Sequence, residues 1–228
     1  MADVMDIMGL DDFEQENTAM DDINSETINL VCTLIDESGS MGGNIQEMNY
    51  NQSSFKDALA NSKEADEMLV AKGTFSNSNV AIGGYKKIEE FDTTYKASGM
   101  TPLYDAIIIG AEKLVSYRTY LKDQGMNVKA VFAVFSDGED TSSRNSLSEA
   151  RRFVENLNSL EIPTAFIAFG NSAINEATNL KFKSILKIDS NTPDPASALR
   201  HAFDVLSKST IKSVSVVGNN VSDDLFTM

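Results

Sequence analysis

The stretch that decides the fold is Ile28-Asn29-Leu30-Val31-Cys32-Thr33-Leu34-Ile35-Asp36-Glu37-Ser38-Gly39-Ser40. From Ile28 to Ile35 the run is apolar or β-branched almost throughout, the pattern of a strand buried on both faces, as in a parallel sheet covered by helices. It stops at Asp36, in a loop of acidic, hydroxyl and glycine residues. Beyond the loop Ile45, Met48, Phe55 and Leu59 recur at helical spacing, with Asn44 suited to cap their helix. This is strand, loop, helix.

Working outward, the same alternation continues. Met68 to Phe75 and Val80 to Tyr85 read as strands joined by the turn Ser76-Asn77-Ser78-Asn79, one of them an antiparallel edge. Thr101-Pro102 opens a helix with Leu103, Ala106, Ile107, Gly110, Leu114 and Tyr117 on one face. Val128 to Phe135 is a second buried strand, Ser146 with Glu149 forms a capping box for the next helix, and Ile162 to Phe169 is a third strand. A helix over 173–180, a strand over 184–188 and a helix from Asp194 through Leu206 complete the pattern. Buried strands alternating with amphipathic helices predict an α/β fold. We expect a doubly wound, Rossmann-like, mostly parallel sheet with one antiparallel edge strand and helices on both faces.

At 228 residues the chain has room for one such domain and is short for two. We place it at 27–207, between an acidic N-terminal arm (1–26) and a C-terminal tail (208–228). The arm holds nine acids, among them Asp11, Asp12 and Glu14, and no Lys or Arg, a composition expected to remain flexible. Those acids are also candidate internal competitors for any cation site on the domain.

The formal charge of -15 works against phosphate backbones and anionic lipid, so neither nucleic acid nor a membrane surface is expected as a partner. The acidic start does not read as a signal peptide, and no stretch approaches the ~20 apolar residues of a membrane span. Cys32 is the one cysteine, which predicts a fold without disulfides in a reducing, cytoplasmic setting.

In open parallel sheets, ligands bind at the carboxyl ends of strands, where loops converge. Three loops here are rich in small oxygen donors: Asp36-Glu37-Ser38-Gly39-Ser40 after the first strand, Gly99-Met100-Thr101-Pro102 at a helix start, and Ser136-Asp137-Gly138 after the next long strand. Each alone would pass for a turn or a cap. Together, Asp36, Ser38 and Ser40 as Asp-x-Ser-x-Ser, then Thr101, then Asp137, resemble the metal ion-dependent adhesion site of the von Willebrand factor A-type domain family. The phrases GMTPLYDAI and FSDGEDT resemble that family too, and the likeness runs from about Thr27 to Leu206.

The resemblance implies a divalent cation, Mg2+ with Mn2+ or Ca2+ as alternatives, at Asp36, Ser38, Ser40, Thr101 and Asp137. Mg2+ takes oxygen ligands in near-octahedral array. Three neutral hydroxyls and two carboxylates would just balance its charge and leave it electrophilic toward a carboxylate from another protein. The implied function is metal-dependent protein–protein interaction. The chain resembles stand-alone cytosolic bacterial members, in which the domain often works with ATPases or kinases of multiprotein systems, and this implies a partner of that class. Glu37, Glu139 and Asp140 read as rim charge, and His201 as a surface residue without chemistry.

An enzyme is not expected. A phosphoryl-transfer enzyme of the haloacid dehalogenase type would want an acid where Ser38 stands, and GxxxxGK[ST] and GxGxxG are both absent. A purely structural module acting through its tails is the third reading; five filled motif positions argue against it.

Overall fold

The computed structural model describes residues 17, 25–77, 79–188, 207, 208 and 211. Its strands are β1 (Thr27–Asp36), β2 (Met68–Ser76), β3 (Asn79–Ile82), β4 (Lys86–Lys87), β5 (Asn127–Ser136), β6 (Thr164–Phe169) and β7 (Ser184–Ile188). Its helices are α1 (Ile45–Ala60), α2 (Leu103–Asp123), α3 (Leu147–Ser159) and α4 (Asn171–Asn179). The expected helix from Asp194 through Leu206, most of the acidic arm and most of the C-terminal tail lie outside the described residues.

The strands form one sheet in the order β3-β2-β1-β5-β6-β7, with β4 also paired to β2. Neighbours from β2 to β7 run parallel, while β3 and β4 are antiparallel to β2. The chain moves outward from β1 to β2, then returns past β1 to place β5 on its other side, so strand order reverses between β1 and β5. The expected architecture is the observed one.

Both faces of β1 are buried, and its side chains alternate between two cores. Leu30, Cys32 and Leu34 join residues of α2, α3 and α4 such as Ile107, Val154 and Ala177. Val31 and Ile35 join Met48, Phe55 and Leu59 of α1 on the opposite face, with Ile211 packed against that cluster. Helices therefore cover both faces. Gly110 lets α2 lie close to the sheet: a Cβ there would stand 3.0–3.2 Å from Leu34 and Phe132, tighter than side chains ordinarily pack.

Some local expectations give way. Helical winding begins at Gly39, in a 3-10 turn (Gly39–Asn44) that leads into α1. The strand expected over Val80 to Tyr85 ends at Ile82, and β4 resumes the pairing with Leu69 and Val70. The strand expected from Ile162 begins at Thr164, just past Pro163, which has no N–H to give to a ladder. Tyr85 N donates to Asn17 Oδ1 at 2.6 Å, so the one described residue of the arm before Ser25 is buried against the domain.

Candidate metal centre

The reversal of strand order puts the ends of β1 and β5 side by side, with Ile35 in register with Phe135. Asp36 and Ser136 follow these partners. The Ser136 hydroxyl donates to Asp36 Oδ2 at 2.6 Å and accepts from Gly138 N at 3.0 Å, tying the two strand ends through buried contacts. The other oxygen of Asp36 accepts from Ser38 N at 2.8 Å, which curls the loop back over the strand end. Ser38 Oγ and Ser40 Oγ stand 3.1 Å apart. Ser38 is buried and Ser40 exposed, so the pair runs from the interior to the surface.

Thr101 reaches the same end of the sheet by backbone bonds. Gly39 N donates to Gly99 O at 2.9 Å and Ser98 N to Glu37 O at 2.7 Å. Thr101 is gripped in turn by the loop after β5, its N–H donating to Thr141 Oγ1 at 2.8 Å and its carbonyl accepting from Thr141 N at 2.9 Å. α2 has Pro102 at its N-cap position, without a side-chain cap of its own. Its free N–H groups are satisfied from the same loop, Tyr104 N by Asp140 Oδ1 and Asp105 N by Ser143 Oγ. Asp105 returns the contact by accepting from Arg144 N and Asn145 N.

The Asp36 carboxyl is pushed up to about 6, first by burial and further by the charge of Asp137, while bonds from Ser136 and Ser38 pull it partly back. Tyr95 donates its hydroxyl to Asp36 O at 2.7 Å. Burial, then the carboxylates of Asp36, Glu37 and Asp137, keep that phenol protonated far above its usual range. Asp137 Oδ1 is buried with no hydrogen-bond partner among the described residues. A buried carboxylate oxygen without a donor, beside a second buried carboxylate, is costly unless a positive group completes the site. The residues present fit a hard cation: oxygen donors only, two carboxylates and a row of hydroxyls.

The structure thus gathers Asp36, Ser38, Ser40 and Asp137 and brings the Thr101 segment to them. The rim acids divide. Glu139 is exposed, Asp140 caps α2, and Glu37 accepts from Lys96 N at 3.3 Å. Among the described residues no three His, Cys, Asp or Glu side chains come together as a metal cluster of their own. Ser136 and Tyr95, which orient Asp36, were not identified as site residues by sequence; only the position of Ser136 beside Asp137 hinted at such a role. An open groove of about 710 Å3 runs from Glu37 past Lys72 and Thr74 to Lys86. No described helix is long and apolar enough to cross a membrane.

No protein-family model matches the chain, and no curated protein matches it. Solved structures do resemble it. The pilus adhesin SpaC from Lactobacillus rhamnosus GG aligns over 84% of this chain with a TM-score of 0.65 at 13% identity; the chain spans only 31% of the adhesin's length. The VWA domain of SpRpn10 aligns over 76% of this chain and 94% of its own, with a TM-score of 0.53 at 12% identity. The N-terminal domain of TFIIH p34 aligns over 78% and 97%, with a TM-score of 0.54 at 13% identity. The fold of this chain is that of a von Willebrand factor A domain.

Proposed function

We propose that this protein is a metal-dependent protein–protein interaction module and not an enzyme. One observation carries the reading: the unpartnered buried oxygen of Asp137 stands beside the buried Asp36 carboxyl, where the hydroxyls of Ser38 and Ser40 converge. A divalent cation, Mg2+ with Mn2+ or Ca2+ as alternatives, would be held by Asp36, Ser38, Ser40, Thr101 and Asp137. When bound, such an ion supplies an electrophilic position for a carboxylate offered by another protein.

The chain's own part is to keep the donors in place. Ser136 and Ser38 N fix both oxygens of Asp36, Tyr95 fixes its backbone, and Thr141 fixes Thr101. The groove beside Glu37 gives room for a partner segment next to the site. That an adhesin is among the structural neighbours is in keeping with a binding role. A cytoplasmic partner of the ATPase or kinase class, belonging to a multiprotein system, is our reading of the partner.

The test is capture of interacting proteins by the full chain with Mg2+, with excess EDTA, and by Asp36→Ala with Mg2+. Capture by the wild type that both treatments abolish supports the reading. Equal capture under all three conditions contradicts it and assigns binding to surfaces away from the site. Mg2+-dependent turnover in a phosphatase or nucleotide-hydrolysis screen, lost in Asp36→Ala, would replace it with an enzyme.

A further inference from the structure

Between the 3-10 turn Ile88–Glu90 and α2 the chain has no helix or strand, yet this segment carries Thr101 to the site. Backbone groups outside regular structure need partners from elsewhere. Met100 is 53% exposed, so burial does not hold that residue. Two asparagines on different elements add a grip on the segment, at Tyr95 and at Met100.

Asn49, on α1, accepts from Tyr95 N through Oδ1 at 2.9 Å, and its amide donates to Ile45 O at 2.8 Å and to Tyr95 O at 3.4 Å. Asn77, in the turn between β2 and β3, donates from its backbone N to Met100 O at 2.8 Å and accepts from Met100 N through Oδ1 at 3.2 Å. Each asparagine bonds both backbone groups of one residue, as a neighbouring strand would. At Asn49 one side-chain amide does this, because it carries a donor and an acceptor together; at Asn77 the backbone N–H is the donor and the side-chain oxygen the acceptor. Asn77 has φ +49°, a left-handed conformation that Asn tolerates better than most residues. Gly99 has φ +79°, and a Cβ there would stand 1.7 Å from Asn77 Oδ1, so only glycine lets the Asn77 amide lie across the segment.

We infer that Asn49 and Asn77 are positioning residues that, together with the Thr141 contact, set the segment leading to Thr101 against the Asp36 loop. Between the two grips lie the contacts that join the segment to that loop, Ser98 N to Glu37 O and Gly39 N to Gly99 O. Neither asparagine touches Gly39. Loosening either grip should therefore be felt at Gly39, which a local turn-stabilising role would leave alone. The consequence for cation affinity rests on the metal-site reading; the mechanical coupling does not.

The experiment is amide hydrogen exchange on the full, metal-free chain for wild type, Asn77→Gly, Asn77→Asp and Asn49→Ala, followed by Mg2+ titration calorimetry on each. Asn77→Gly keeps the left-handed backbone accessible while removing the amide, and Asn49→Ala raises helix propensity, so neither result can be put down to a broken turn or helix. Exchange at Gly39 and Ser98 is expected to quicken roughly tenfold or more in Asn77→Gly and Asn49→Ala, with β5 amides unchanged. Asn77→Asp, which retains the acceptor, should keep wild-type exchange. Mg2+ affinity should fall several-fold in the first two variants and hold in Asn77→Asp. Unchanged exchange at Gly39 and Ser98 in Asn77→Gly and Asn49→Ala overturns the inference. A wild type that takes up no cation overturns the metal reading, and the exchange data still decide the positioning role.

Discussion

Asp36 concentrates the chemistry of this chain in one side chain. Burial raises its folded pKa from 3.8 to about 6, so between those values the folded state holds a proton that the unfolded state has released. Stability contributed by this group is therefore present at low pH and falls as pH rises through that window, the reverse of a salt-bridged carboxylate. For metal-free protein, the stability of the wild type relative to Asp36→Asn should decline from pH 4 to pH 6 in urea unfolding. A difference that stays flat would show that the carboxyl is not strained by burial. Gly138 gives a second prediction at this scale. It has φ +84°, and a Cβ would come within 2.3 Å of Ala173 Cα, a backbone atom that cannot swing away. Gly138→Ala should cost about 3 kcal/mol through the positive φ and the clash together; a urea midpoint equal to that of wild type would contradict the packing of α4 against this turn.

Among the elements, the strands were the most legible in sequence because burial on both faces leaves an uninterrupted apolar run, as in β1, β5 and β6. The capping box of α3 was legible for a similar reason, since its parts lie three residues apart. Ser146 Oγ accepts from Glu149 N and Glu149 Oε2 accepts from Ser146 N at 2.7 Å. Ser146→Ala should lower stability by about 1 kcal/mol in chemical denaturation, whereas Ser148→Ala, just inside the helix, should cost less. The start of α2 was not legible in this way. Thr101-Pro102 looked like a self-contained helix opening, but the N–H groups of Tyr104 and Asp105 find acceptors on Asp140 and Ser143, some 36 to 38 positions away. Periodicity reports which face of an element is buried; it cannot report a cap that arrives from another loop. The supports of Asp36 escaped notice for the same reason. Tyr95 and Ser136 lie 59 and 100 positions from it; the pairing of β1 with β5 brings Ser136, and the packing of an irregular segment against α1 brings Tyr95.

At the scale of the whole molecule, the reversal of strand order between β1 and β5 sets the loops after those two strands side by side, and backbone bonds from Gly39 and Ser98 add the Thr101 segment. The hydroxyl and carboxylate donors were readable as a spaced pattern, and the fold supplies the reason they meet. A chain with a net charge of -15 brings two of its carboxylates, Asp36 and Asp137, close enough to raise the Asp36 pKa, and we propose that a cation completes the pair. The most direct test is thermal unfolding across a Mg2+ titration for the wild type and Ser38→Ala, each compared with its own metal-free form. Binding to the native state alone should add about 2.7 kcal/mol at a hundredfold excess over the dissociation constant. The wild type should show a saturating increment that Ser38→Ala loses; a wild type that gains nothing from Mg2+, Mn2+ or Ca2+ would contradict a cation site at Asp36.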